Sequence, residues 1–64
     1  MNQQKEYLFS SLLRASQVAQ ILNISISKAY RLMQNGEIPT VSIGRSKRVR
    51  PDDLDGYINK NATV

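Results

Sequence analysis

Neither cysteine nor histidine occurs in this chain of 64 residues, so no disulfide and no ordinary zinc site can hold it, and a hydrophobic core must. A chain this short buries only about 60% of the surface its unfolded form exposes. It has room for one domain and a small core, and no substrate cavity fits inside. The same two absences remove the commonest nucleophile, general-base and metal-ligand arrangements, and the five Asp and Glu residues show no metal-loop spacing. The expectation is a protein that is not an enzyme and takes no metal, cofactor or small-molecule substrate. Met1-Asn2-Gln3-Gln4-Lys5-Glu6 lacks the apolar stretch of a signal peptide or membrane span, which points to the cytoplasm and away from a membrane partner.

Charge is distributed unevenly. The net value is +4, but residues 1–14 contribute +1, residues 28–50 contribute +5 and residues 51–64 contribute −2. Lys28, Arg31, Arg45, Lys47, Arg48 and Arg50 make the middle basic, and Asp52, Asp53 and Asp55 make the end acidic. One basic face on a small binding module, with nucleic acid as the acidic partner, accounts for this pattern.

Residues 11–60 are expected to form the domain, between an N-terminal tail and lead-in over 1–10 and a C-terminal tail over 61–64. Residues 1 to about 6 and about 60 to 64 are polar and short, and are read as disordered. The spacing of Tyr7, Leu8, Phe9, Leu12 and Leu13 fits either a helical turn or an extended lead-in. Val18, Ala19, Ile21 and Leu22 recur at helical intervals and predict a helix over about 15–22, with Ser16 as one available cap. Asn23-Ile24-Ser25 interrupts it, since Asn tolerates the left-handed conformation and Ser25 is a good N-cap. A second helix follows over about 26–35, with Ile26, Ala29, Leu32 and Met33 on one side, Ser27, Arg31 and Gln34 opposite, and Lys28 and Tyr30 flanking; Gly36 ends it.

From Pro39 the period changes to two. Thr40-Val41-Ser42-Ile43, a turn at Gly44-Arg45-Ser46, and Lys47-Arg48-Val49-Arg50 predict a β-hairpin with Val41, Ile43 and Val49 on one face and charges on the other. Pro51 opens a last helix, Asp52 and Asp53 suit its N-terminus, and Leu54, Tyr57 and Ile58 form its apolar stripe. Two helices joined by three residues are a helix-turn-helix. Ala19 supplies the small residue where the helices cross, and Val18, Leu22, Ile24, Ala29 and Leu32 fill the apolar positions.

Several runs carry a family resemblance: Leu12-Leu13, Val18 through Ser25, Ala29-Tyr30-Arg31-Leu32-Met33, Gly36-Glu37-Ile38-Pro39, Ile43-Gly44-Arg45, and Arg48-Val49-Arg50 leading to Asp53-Leu54. From Leu12 to Ile58 the chain resembles the small excisionase-family DNA-binding domains, which are similar to the winged N-terminal domain of MerR-type regulators. The resemblance implies a mainly α, single-domain winged helix-turn-helix whose only strands are a small hairpin. It puts the first helix cap at Arg14, where such domains usually carry Thr or Ser. Two further departures are Asn23 in place of a frequent Gly and Lys47 in place of a frequent aromatic.

Ser27, Lys28, Tyr30, Arg31 and Gln34 are the candidate recognition-helix residues. Arg31 can fork onto a guanine edge or bind phosphate, Lys28 is a phosphate contact or a solvated charge, and Tyr30 packs in the core or meets DNA. Arg45, Lys47, Arg48 and Arg50 are the candidate wing residues, Arg45 and Arg48 foremost; the resemblance implies that they follow the backbone or enter the minor groove. Five or six of these cations are expected to engage double-stranded DNA. The resemblance further implies a bacterial or phage excisionase, nucleoid-associated, that bends DNA and assists a separate integrase in excising a mobile element such as a prophage. Such factors self-associate on DNA. The alternatives are a small transcriptional regulator of a mobile element and, from another class, a protein-interaction module such as an antitoxin or antiactivator.

Overall fold

Helix α1, Ala15–Leu22, and helix α2, Ile26–Gln34, occupy the predicted places. A hairpin of β1, Val41–Ile43, and β2, Ser46–Arg48, follows, and helix α3, Pro51–Asn61, closes the fold. This is a computed structural model describing residues 11–63. The tail and lead-in over 1–10, with Tyr7, Leu8 and Phe9, and the terminal Val64 lie outside the described residues. α3 runs through Asn61, so residues 60 and 61 belong to a helix and not to a polar tail.

Capping explains the helix bounds. Arg14 is the N-cap of α1, as the resemblance implies, and a guanidinium has no acceptor to offer the first-turn N–H groups. Gln17 supplies the reciprocal half of a capping box instead: its Oε1 accepts from the Arg14 backbone N–H at 2.9 Å. Ser25 caps α2 directly, its Oγ accepting from the Lys28 backbone N–H at 3.1 Å.

α1 and α2 end alike. The Ile24 N–H donates to the Ala19 carbonyl and the Asn23 N–H to the Gln20 carbonyl, with Asn23 left-handed at φ 57°. At the end of α2 the Glu37 N–H donates to Leu32 and the Gly36 N–H to Met33, with Gly36 at φ +83°. Both are Schellman motifs, which require one residue of positive φ. Asn is the non-glycine residue best able to take that position, so Asn23 makes the tight turn between the helices without a glycine.

The core consists of Ala15, Val18, Ala19, Ala29, Met33, Ile38, Val49 and Leu54, with Leu13, Leu22, Ile24, Leu32 and Tyr57 packed against it. Three of these eight buried residues among those described are alanines, two of them, Ala19 and Ala29, on α1 and α2, where small side chains let the helix backbones approach closely. Leu13 settles the lead-in at its inner end. It exchanges both backbone hydrogen bonds with Val49, 2.7 Å from the Leu13 N–H and 2.9 Å from the Val49 N–H, and is therefore extended.

The hairpin departs from the expected face assignment. Its register pairs Val41 with Arg48, Ser42 with Lys47 and Ile43 with Ser46, around a two-residue turn at Gly44 and Arg45; Ser46 belongs to β2. Gly44 has φ +61° and Arg45 has no positive φ, the sign pattern of a type II′ turn. Directly paired residues share a face, so Arg48 and Ser46 lie with Val41 and Ile43, and alternation puts Val49 with Lys47 and Ser42. Val49 is fully buried while Ile43 is 55% exposed: the hairpin is anchored at its base and projects beyond the core. Ile21, Ile26 and Ile58 are also exposed, so the apolar periodicity of each helix is wider than the stripe the small core can cover.

Two stability changes are expected. Ala19→Leu forces extra volume into the helix contact and should cost about 1–3 kcal/mol, lowering the melting midpoint by roughly 4–8 °C per kcal/mol in thermal unfolding followed by circular dichroism. Gly56 lies inside α3 with open space around an added Cβ, so Gly56→Ala should stabilise the domain by about 0.5–1 kcal/mol in the same measurement.

Candidate nucleic-acid interface

Successive residues of a helix turn by about 100°, and with Ala29 inward this sends Tyr30, Gln34, Ser27 and Arg31 around a continuous outer arc of α2. All four are exposed, as is Lys28, which lies on the opposite flank. Tyr30, open to either core or surface from its spacing, is 57% exposed and belongs to the surface. Ile26, expected inside with Ala29, is half exposed and is the first residue of α2.

The four hairpin cations differ in what holds them. Arg45 stands exposed at the turn. Lys47 is exposed and donates from Nζ to Ser42 Oγ across the strands at 3.2 Å. Arg48 is half-buried, and its Nη1 donates to the Lys47 carbonyl at 3.0 Å. Val49 spends its backbone groups on Leu13, so alternation turns the Lys47 carbonyl to that same edge of β2, where the Arg48 guanidinium satisfies it. Arg50 lies outside the hairpin as the N-cap of α3, with Nη1 3.8 Å from Asp53 Oδ2. That ion pair is largely solvated and contributes little to stability, but it aligns Arg50 with the first turn of α3.

A surface groove of about 620 Å³ lies between α2 and the hairpin, lined by Tyr30, Met33, Gln34, Gly36, Thr40 and Lys47. It lies outside the core. Three of the nine sequence-derived candidates, Tyr30, Gln34 and Lys47, are brought together on its walls, while the other six line no part of it. Ser42, Thr40 and Met33 were not among those candidates. The pairing of Ser42 with Lys47 is legible in the sequence only if the turn is taken as two residues, because a Gly44-Arg45 loop makes 42 and 47 equidistant from its centre; the three-residue reading hides it.

This arrangement of two helices joined by an Asn23-centred turn, a short hairpin and a closing helix is a winged helix-turn-helix. Residues 12–62 match the helix-turn-helix domain family, and the chain belongs to that family, of the excisionase-like kind. Two proteins of Mycobacterium tuberculosis are 45% identical to it over 40 residues: Putative DNA-binding protein MT0521 of strain CDC 1551 / Oshkosh and Putative DNA-binding protein Rv0500A of strain ATCC 25618 / H37Rv. The match covers 62% of this chain and 51% of each relative, so it spans about half of their length. No solved structure matches the chain. Among the described residues no helix is long and apolar enough to cross a membrane.

The different anchoring of the hairpin cations predicts different costs of removal. Arg48→Ala should destabilise the domain by about 0.5–1 kcal/mol, by losing the hydrogen bond to the Lys47 carbonyl and the half-buried side chain, whereas Arg45→Ala should leave the melting midpoint unchanged. Thermal unfolding of the two variants side by side checks this.

Proposed function

We propose that this chain is a non-enzymatic, sequence-specific binder of double-stranded DNA, acting in the cytoplasm at the nucleoid. The observation that carries the reading is that Tyr30 and Gln34 of the exposed α2 arc and Lys47 of the hairpin line one groove, in a chain of the helix-turn-helix family. The names of the two mycobacterial relatives support it. α2 enters the major groove and presents Ser27 and Arg31 to base edges, with Gln34 beside them at the groove wall; Arg31 has the fork that matches guanine O6 and N7. Lys28 takes a flanking phosphate. The hairpin lies along the adjoining backbone with Arg45 foremost, where a narrow minor groove concentrates negative potential.

The biological role best supported by the excisionase-like family is assistance to a separately encoded integrase. Copies bound at neighbouring sites bend the DNA flanking a mobile element into a form competent for excision. Footprinting on the DNA beside its own gene tests this: repeated protected sites near an integrase attachment sequence are expected, whereas one site over a divergent promoter would identify a transcriptional regulator.

Binding should be dominated by phosphate charge. With Arg48 and Arg50 engaged within the protein, Lys28, Arg31, Arg45 and Lys47 are the cations of the 28–50 region with no ion pair or backbone commitment among the described residues. With Arg31 on a base edge, three of these cations are left for phosphates, and log K should fall with log salt at a slope of roughly −2.7, shallower than five or six cations would give. Affinity independent of salt would instead identify a protein partner. Arg31→Ala should weaken the preferred site by about 1–3 kcal/mol and relax preference at one or two base pairs, while Arg45→Ala should weaken all sequences alike; selection from a randomised duplex library at fixed salt separates the two.

A further inference from the structure

We propose that the groove between α2 and the hairpin seats one phosphodiester of a DNA strand, with Lys47 as its charge clamp, Ser42 as the residue that positions that clamp, and Tyr30 as the opposite wall. The inference rests on the DNA-binding reading and adds a specific ligand group and a specific set of residues to it.

The lining argues for this chemistry. Lys47 brings an ammonium with three donors and no acceptor, Gln34 an amide with two donors, and Tyr30 and Thr40 a hydroxyl each. Among the described residues no carboxylate lines the groove. A phosphodiester is the complement of such a set: it is an anion, and its oxygens only accept hydrogen bonds. Met33 and the Tyr30 ring supply an apolar surface against which the adjoining deoxyribose can lie. The groove volume of about 620 Å³ falls within the range of about 300–1,000 Å³ that small-ligand sites occupy. This groove, however, lies on the surface between the outer arc of α2 and the hairpin, so a strand can pass through it and continue to both sides.

The state of Lys47 is the second observation. Its Nζ is held by Ser42 Oγ at 3.2 Å, a neutral partner, and among the described residues no carboxylate lies within ion-pair distance of it. The ammonium is therefore oriented without being neutralised. Arg50, by contrast, is paired with Asp53. Orientation before binding reduces the side-chain ordering that the complex must otherwise supply.

Fluorescence anisotropy with a short mixed-sequence duplex over a series of salt concentrations tests the proposal, using the full chain. Lys47→Ala should make the log–log salt slope shallower by about one, and Lys47→Arg should restore it. Ser42→Ala should weaken binding several-fold while leaving the slope unchanged, because the charge remains and only its placement is lost; Ser42→Thr should recover the affinity. Tyr30→Phe combined with Lys47→Ala should lose less than the product of the two single losses, by about twofold or more, if both hold the same phosphate. The substituted side chains are exposed, and a melting midpoint equal to wild type confirms that each variant is folded. An unchanged slope in Lys47→Ala, or independent losses at Tyr30 and Lys47, overturns the groove while leaving DNA binding intact. Failure of the wild-type protein to bind the duplex at low salt overturns both readings.

Discussion

The reciprocal pair of backbone hydrogen bonds between Leu13 and Val49 fixes the rest of the arrangement. It ties the segment entering α1 to the segment leaving β2, and it does so at Val49, the fully buried residue that follows β2. A two-stranded hairpin is marginal by itself in water. Here its base is held by a third extended segment and by burial of one valine, so its tip can project from the core without losing its orientation. The position of Lys47 relative to α2, and with it the groove, follows from that anchor.

A small core makes this economy necessary. Eight buried residues among those described, three of them alanine, leave little apolar area to stabilise any element independently. Much of the definition therefore comes from backbone hydrogen bonds at element ends: the Ser25 cap, the Gln17 return bond to Arg14, and the two Schellman motifs at Asn23 and Gly36. These bonds set where α1 and α2 stop, and the short turn between them sets their relative placement. Precision in the outer arc of α2 is thus inherited from capping as much as from packing.

The hairpin shows how charge can be concentrated and still be differentiated. Arg48 satisfies an edge carbonyl, Arg50 accompanies Asp53 at the start of α3, Lys47 is oriented by a hydroxyl, and Arg45 is left at the turn. Four residues of like charge within six positions of sequence therefore have four different surroundings. Two are engaged by a carbonyl or a carboxylate oxygen of the protein, and two are not.

The helices and their order were determined by the sequence alone, because these depend on interactions within about four residues. Val18, Ala19 and Leu22 mark α1, Ser25 and Gly36 bracket α2, and Pro51 with Asp52 and Asp53 opens α3. The candidate cations and the outer arc of α2 were equally legible, since helical periodicity places them once Ala29 is taken as inward. Burial at the margins was not: Ile21, Ile26, Ile43 and Ile58 read as core from their spacing and are exposed, because how far a core extends depends on how many elements converge on it. Hairpin register was not legible either, as a turn of two or three residues reverses which side chains share a face. That choice, and the antiparallel contact of Leu13 with Val49 across 35 intervening positions, were decided in the tertiary structure. Both join residues whose proximity no local pattern encodes, and the groove shared by Tyr30, Gln34 and Lys47 exists only as their consequence.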